Sequence, residues 1–262
     1  MARRMRVIIP MTGNGSRFKN EGYSKLKPFI RIHNKPMIHW VCKMFQNEKI
    51  ELILRQHHIK KYKYIIRDIR NYCGNVTLHV VKSWKKLGPV NDVYQLIKND
   101  SNLLEPILIS YCDFYAHWDI TKFKKLITKD KPDGIIPCYT GFHPHLLHPE
   151  NLYATCKSDA KFNLIEIREK HQTNKNKFDD LTSPGLYYFR TTEICKKYCF
   201  ELMKSGKTIN KEYYMSLPFN RMVKDKLKVI TPPIVEYFCQ WGTPQDLKEY
   251  EFWNTKSFIG NK

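Results

Sequence analysis

The chain has 262 residues, of which 42% are hydrophobic and 13% aromatic, a composition that excludes a mostly disordered protein. This length favours one domain, so we take residues 1–262 as a single domain. No apolar run approaches the ~20 residues that span a bilayer, and the apolar stretch behind the basic N-terminus is too short for a signal peptide. These features predict a soluble, cytoplasmic protein without a membrane partner.

Positive charge dominates the sequence, which has 45 Lys and Arg residues but only 25 Asp and Glu residues and hence a formal net charge of +20. One explanation is a protein that binds nucleic acid or another polyanion. The other is a Lys-rich chain whose substrate carries phosphates. Because the positive residues are spread along the chain and no nucleic-acid-binding signature is present, we do not expect nucleic acid as the main partner.

The eight cysteines contain no C-x-x-C pair. Several stand inside apolar runs, which is typical of small buried thiols in a reducing compartment. Only Cys195 and Cys199 are close in sequence, and their spacing is that of one helical turn rather than of a zinc site.

Strand-like and helix-like segments alternate through the first half of the chain. Short apolar or β-branched runs predict strands at residues 5–10, 51–54, 77–81, 106–110 and 133–138. Apolar residues at helical spacing predict helices at residues 36–45, 59–72, 90–98 and 120–129. This alternation predicts an α/β fold, a three-layer sandwich with a mostly parallel, Rossmann-like sheet that binds ligands at the carboxyl ends of its strands.

The second half has shorter strand candidates separated by polar loops, which indicates a smaller lobe. We predict strands at residues 152–156, 164–169, 185–189, 227–231 and 235–239. The predicted helices cover residues 191–205, 212–225 and 244–253.

A glycine-rich loop follows the first predicted strand, with the sequence Thr12-Gly13-Asn14-Gly15-Ser16-Arg17. Glycines let backbone N–H groups approach phosphate oxygens, and the hydroxyl and guanidinium add further donors. The loop is neither a Walker A motif nor a full dinucleotide fingerprint, since no Gly-Lys pair follows and Phe18 replaces the third glycine. By itself the pattern is also compatible with a simple tight turn.

Three blocks stand in order after this strand: residues 11–17, then Leu26-Lys27-Pro28-Phe29, then Asn34-Lys35-Pro36-Met37-Ile38. They resemble the patterns A-A-G-x-G-S/T-R, P-K-P-L and G-K-P-M-I of the sugar-phosphate nucleotidyltransferases, the pyrophosphorylases that make nucleotide sugars. The cytidylyltransferases of the same superfamily are nearly as similar. A fourth block, Trp241-Gly242-Thr243-Pro244, extends the resemblance over most of the chain.

The resemblance implies a nucleotidyltransferase with a GT-A-like fold, in which residues 1–140 bind the nucleotide and residues 141–262 the acceptor. An acceptor phosphate would attack the α-phosphorus of a nucleoside triphosphate, and pyrophosphate would leave. Arg17 and Lys27 match the catalytic residues that neutralise the reacting phosphates. The matching nucleotide-binding residues are Met11, Gly13, Asn14, Gly15, Ser16 and Gly88, the last of which would contact the base.

The family also implies Mg²⁺ as cofactor, and Asp113 matches its metal-binding aspartate. Many relatives have a second aspartate in W-x-D-x-G-T, where this chain has Gln240. In an extended strand Glu236, Phe238 and Gln240 point to the same side, so Glu236 and Gln240 are the candidates for the second ligand.

The resemblance places the acceptor site at Tyr153, Glu169, Lys170 and Gly185. Glu169-Lys170 lacks the proline of the family's E-K-P motif, and Ala154 follows Tyr153 where many relatives have glycine. These departures point to an acceptor that need not be glucose.

Three histidines, His143, His145 and His148, lie within six residues. They are candidates for a zinc site, although Pro144 and the apolar residues between them favour an ordered loop over the acceptor pocket.

The sequence thus predicts a Mg²⁺-dependent transfer of a nucleoside monophosphate to a sugar 1-phosphate for surface glycan or capsule synthesis. A CTP-dependent cytidylyltransferase acting on phosphocholine or phosphoglutamine is the alternative. A catalytically inactive relative that regulates or binds a polyanion is a second alternative. Homo-oligomer formation stays open.

Overall fold

A computed structural model describes residues 4–82 and 87–256. Within these residues the strands are β1 (Arg6–Pro10), β2 (Arg31–Ile32), β3 (Lys35–Pro36), β4 (Lys49–Arg55), β5 (Val76–Val81), β6 (Ile107–Ser110), β7 (Phe114–Trp118), β8 (Gly134–Ile135), β9 (Ala154–Ser158), β10 (Leu164–Glu169), β11 (Leu181–Thr182), β12 (Leu186–Phe189), β13 (Val229–Ile230) and β14 (Val235–Gln240). The helices are α1 (Ser16–Asn20), α2 (Met37–Lys43), α3 (Gln56–Lys61), α4 (Tyr64–Tyr72), α5 (Pro89–Ile97), α6 (Ile120–Asp130), α7 (Thr192–Ser205), α8 (Leu217–Lys224) and α9 (Pro244–Lys256). In this part of the chain no helix combines the length and the apolar character needed to cross a membrane.

A seven-stranded sheet in the order β13-β8-β12-β6-β1-β4-β5 forms the centre of the molecule. Strand β1 pairs in parallel with both β4 and β6, and β4 pairs in parallel with β5. Strand β12 is antiparallel to its neighbours β6 and β8, and β13 is parallel to β8. The sheet is therefore mostly parallel, as the alternation of strands and helices predicts.

The strands contribute to two cores because successive side chains point to opposite faces of the sheet. Val7 and Ile9 of β1 pack into a cluster that includes residues of α2, α4 and α6. Ile8 packs on the other face, against residues of α5, α7 and α8. Helices thus cover both faces, and the predicted three-layer sandwich is confirmed.

The described residues also form three smaller sheets, of which the smallest is the antiparallel pair β2 and β3. Strands β10, β9 and β11 form an antiparallel sheet from the second half of the chain. Strands β7 and β14 form an antiparallel ribbon in which Gln240 lies opposite Phe114. The Trp241 N–H donates to the Asp113 carbonyl at 2.9 Å, so this ribbon brings the segment after β14 next to the end of β6.

Three sequence-based expectations about the elements were wrong. The helix expected at 59–72 is two helices, α3 and α4. At the start of α4, the Tyr64 hydroxyl accepts a hydrogen bond from the Leu26 N–H at 2.8 Å. The helix expected at 212–225 begins only at Leu217, because the Tyr213 backbone bonds to Leu87 and Val90 instead. Strand β7 was not predicted, although its alternation of buried and more exposed residues is that of a half-buried strand.

Candidate active site

A cavity of about 460 Å³ opens at the carboxyl ends of β1 and β6. It is lined by residues from both halves of the chain, in agreement with the usual place of ligand sites in such sheets. Most residues singled out from the sequence meet there: Met11, Gly13, Asn14, Gly15, Ser16, Arg17, Lys27, Gly88, Asp113, Tyr153, Glu169, Lys170 and Gly185. Their individual roles stay predictions.

The glycine loop joins β1 to the short helix α1. Gly15 precedes that helix with a φ of 61°, a left-handed conformation that favours glycine. A Cβ atom on Gly15 would lie 3.2 Å from Lys27 Cβ, so the loop packs closely against the segment that carries the lysine. Ser16 and Arg17 are exposed and line the cavity, where their side chains are accessible to a ligand.

Lys27 is held between the two halves of the site. It begins the single 3-10 turn Lys27–Phe29, and its Nζ donates to Asp113 Oδ2 at 2.6 Å and to the Gly242 carbonyl at 2.9 Å. The two charged side chains keep 19% and 26% of their surface exposed, so water and ligands reach this ion pair. A phosphate that enters the cavity would therefore meet both the ammonium group of Lys27 and the carboxylate of Asp113.

Asp92 is a site residue that the sequence analysis missed. It lies in the first turn of α5, lines the cavity, is only 3% exposed and accepts a hydrogen bond from the Thr12 hydroxyl. Burial raises the pKa of Asp92 to about 6, and the opposing contributions of Thr12 and Arg55 are smaller. The only signal in the sequence is that Asp92 is the one charged residue of helix α5.

The half of the cavity that the sequence predicts to bind the acceptor is built from β9, β10 and the segment after α7. The Lys170 N–H donates to the Tyr153 carbonyl at 3.0 Å, which holds these two residues side by side. Glu169 accepts a hydrogen bond from the buried Ser216 hydroxyl, and burial raises the pKa of Glu169. Tyr214, which also lines the cavity, was not found from the sequence either.

Gly185 lies where the cavity meets strand β12. Its φ is 104°, and a Cβ atom there would be 2.9 Å from Tyr111 Cδ2. Glycine is therefore required by both the backbone conformation and the close approach of the tyrosine ring.

The two candidates for the second metal ligand do not line the cavity. Glu236 is exposed on β14, and its carboxylate accepts from His117 Nδ1 at 3.0 Å. Glu236 does not share the orientation expected for it, since it is exposed whereas Phe238 and Gln240 are both buried. The reason is that the register of β14 shifts between Val235 and Tyr237. Gln240 is 7% exposed, and its Nε2 donates to Asp246 Oδ1 at 3.2 Å.

The histidine loop, residues 143–148, packs against Tyr153, which lines the cavity. The ring centroids of His145 and Tyr153 are 4.6 Å apart, and His145 Nε2 is 2.7 Å from the Tyr139 hydroxyl. Burial lowers the pKa of His145 to about 3. Among residues 4–82 and 87–256, no three His, Cys, Asp or Glu side chains are arranged to hold a metal, so the structure offers no support for zinc at this loop.

The chain resembles known proteins most clearly in its fold. No protein-family model matches the sequence. The bifunctional protein GlmU of Thermosipho melanesiensis is 25% identical over 213 residues, which are 81% of this chain and 42% of that protein, so the chain spans less than half of this relative.

A UDP-glucose pyrophosphorylase bound to UDP-glucose superimposes with a TM-score of 0.72 at 14% identity, over 97% of this chain and 100% of that one. The chain has the fold of a nucleotide-sugar pyrophosphorylase. The inositol-1-phosphate CTP transferase of T. maritima gives a TM-score of 0.68 at 13% identity, over 96% of this chain and 95% of the other. The fold implied by the sequence motifs is thereby confirmed, and it is shared by enzymes whose acceptors differ.

Proposed function

We propose that the chain is a Mg²⁺-dependent nucleotidyltransferase that joins a nucleoside monophosphate to a sugar 1-phosphate. The observation that carries this proposal is the position of Lys27. Its ammonium group lies 2.6 Å from Asp113 in a cavity whose one wall is the glycine loop and whose other wall is the β9–β10 sheet. A triphosphate on the first wall and an acceptor on the second would meet at this lysine.

In the proposed reaction an acceptor phosphate oxygen forms a bond to the α-phosphorus of the triphosphate. The bond from that phosphorus to the oxygen bridging to the β-phosphate breaks, and pyrophosphate leaves with the electron pair. No covalent nucleophile from the protein is needed, because such transfer depends mainly on positioning and on neutralising phosphate charge. Lys27 and Arg17 supply that positive charge, and Lys170 lies beside Tyr153 on the acceptor side.

The donor atoms near Lys27 suit a hard cation. Asp113 offers carboxylate oxygens, which Mg²⁺ prefers in proteins, and we propose that it holds the metal. When bound, Mg²⁺ would supply Lewis-acid charge at the phosphates. Lys27 is paired with Asp113 in this structure. If Asp113 held the metal, the ammonium group of Lys27 would be free to contact the phosphates.

The product of this reaction is an activated sugar, and we propose that it supplies surface glycan or capsule synthesis. All eight cysteines are free thiols, which fits the cytoplasm, where nucleoside triphosphates are available.

A cytidylyltransferase acting on a non-sugar phosphate is the second candidate. The fold shared with the inositol-1-phosphate CTP transferase favours it, because the same arrangement of strands accepts a phosphate that is not a sugar. Phosphocholine and phosphoglutamine therefore belong among the acceptors to be tested.

Pyrophosphate release tests the proposal. The full chain is incubated with each of the common ribonucleoside triphosphates or dTTP, crossed with sugar 1-phosphates, phosphocholine and phosphoglutamine, with and without Mg²⁺. Magnesium-dependent release that requires one particular pair supports the proposal and names both substrates. Hydrolysis of the triphosphate at the same rate with and without every acceptor contradicts it.

A further inference from the structure

Two carboxylates and a phenol converge on the space beside Gly242. A Cβ atom on Gly242 would lie 3.5 Å from Asp246 Oδ2, 3.6 Å from the Tyr153 hydroxyl and 3.7 Å from Asp113 Oδ2. Because glycine has no side chain, this space stays open to the cavity that all four residues line. Asp246 thus faces the same space as Asp113, although it comes from the first turn of α9.

The Asp246 carboxylate is held from two sides. It is 7% exposed; its Oδ1 accepts from Gln240 Nε2 at 3.2 Å, and its Oδ2 accepts from the Thr243 N–H at 2.9 Å. Each oxygen of an ionised carboxylate has two lone pairs, so each can accept one more donor or bind a cation. The hydrogen bonds fix the group without saturating it.

Gln240 connects Asp246 to the histidine loop. Among the described residues neither Gln240 Oε1 nor His145 Nδ1 has a hydrogen-bond partner, although both atoms are buried and the Gln240 amide is close enough to the ring to oppose the lowering of the His145 pKa. On its other edge, His145 Nε2 meets the Tyr139 hydroxyl at 2.7 Å. In the tautomer whose Nε2 accepts from Tyr139, the ring carries its proton on Nδ1 and can donate it to Gln240 Oε1, while Gln240 Nε2 donates to Asp246.

We propose that Asp246 is the second acidic group of the metal site and that Gln240 is a positioning residue which orients it. This inference rests on the proposed function for the identity of the cation. It also gives a reason for glutamine at position 240, where relatives have a metal-binding aspartate: the acid comes instead from α9, and the amide holds it.

Asp246 also takes part in a capping box with Thr243 at the start of α9. Its N–H donates to the Thr243 hydroxyl at 3.1 Å, and its carboxylate accepts from the Thr243 N–H at 2.9 Å. A capping role and a metal role make different predictions for an asparagine variant. An asparagine at position 246 keeps one oxygen that can accept from the Thr243 N–H, whereas an amide is a poorer ligand for a hard cation than a carboxylate.

Mn²⁺ binding to the full chain without nucleotide separates the two roles, with free Mn²⁺ followed by electron paramagnetic resonance. We expect Asp246→Asn and Asp113→Asn each to weaken Mn²⁺ affinity about 10- to 100-fold while the thermal unfolding midpoint changes little. Gln240→Met, which keeps the volume and removes the amide, should weaken binding by a smaller factor. The matched control Asp119→Asn alters another helix-capping aspartate, at α6, and should leave Mn²⁺ affinity unchanged.

Equal Mn²⁺ affinity of the wild type and Asp246→Asn would overturn the inference and leave Asp246 as a cap. An absence of Mn²⁺ binding by the wild-type chain would overturn it as well. Because no nucleotide is present, Mn²⁺ binding that depends on Asp246 in a chain without transferase activity would keep the inference and remove the proposed function.

Discussion

Lys27 is the residue on which the proposed chemistry depends most. Its ammonium group bridges Asp113 and the Gly242 carbonyl and remains partly exposed to the cavity. Because Asp113 keeps 26% of its side-chain surface in water, loss of the lysine leaves no fully buried charge without a partner. This position suits the charge neutralisation that we propose for Lys27 better than a role in folding.

Replacement of Lys27 by alanine should lower kcat by about 10²- to 10³-fold, the usual loss when one charge-stabilising group is removed. The unfolding midpoint followed by circular dichroism should stay close to that of the wild type. Lys19→Ala, at an exposed position in the nearby helix α1, is the matched control and should retain activity. A Lys27→Ala variant that is folded and as active as the wild type would remove the lysine from the mechanism.

Asp92 should make the stability of the chain depend on pH. Burial raises its pKa to about 6 from the ordinary value of 3.8, so the folded state binds the proton more tightly than the unfolded state does. The protonated Asp92 carboxyl therefore stabilises the folded state fully at pH values below the pKa that Asp92 has in the unfolded chain. This contribution to the free energy of unfolding is lost as the pH rises through about 6.

An Asp92→Asn variant removes this penalty and keeps an oxygen that accepts from Thr12. Its free energy of unfolding relative to the wild type should rise by roughly 1 kcal/mol between pH 5 and pH 8, measured by urea unfolding. The control Asp119→Asn removes a carboxyl whose pKa is lowered by backbone N–H groups, so its relative stability should not rise over this range. The same slope for wild type and Asp92→Asn would contradict a protonated Asp92.

At the scale of elements, the start of α5 depends on Gly88. Its φ is 94°, and a Cβ atom there would lie 2.8 Å from both the backbone N and O of Tyr213. Those two atoms bond to Leu87 and Val90, which fasten the segment before α8 to the start of α5. Gly88 therefore both precedes the first residue of α5 and lines the cavity.

Gly88→Ala should destabilise the chain by more than the about 1 kcal/mol that left-handed backbone strain alone costs, because the methyl group also collides with backbone atoms. Gly141→Ala is the matched comparison: its φ is 83°, and no atom lies within 4 Å of its Cβ position. Urea midpoints of the two variants measure the difference. Equal losses would show that the contact with Tyr213 is unimportant.

The elements show which features the sequence could predict. Strands β1, β4 and β6 are short apolar runs between polar segments, so their existence follows from local pattern alone. The break between α3 and α4 could not be predicted, because it accompanies a hydrogen bond between Tyr64 and Leu26, two residues that are far apart in the sequence. The bulge in β14 likewise depends on pairing with β7.

At the scale of the whole molecule, the candidate site assembles from segments distant in the chain. The glycine loop and Lys27 could be recognised because their motifs are contiguous. Asp92 and Asp246 could not be recognised, since each is locally only an acid in the first turn of a helix and comes to line the cavity only in the folded chain. The net charge of +20 is compatible with a phosphate-rich substrate and does not identify it.

The fate of the individual phosphates tests the central claim most directly. The active triphosphate and acceptor are supplied with Mg²⁺, with radioactive phosphorus at either the α- or the γ-position. Nucleotidyl transfer predicts that the α-label appears in a new diphosphate ester and the γ-label in pyrophosphate, in equal amounts. A γ-label found on the acceptor or as inorganic phosphate, with the α-label left in a nucleoside diphosphate, would contradict the account.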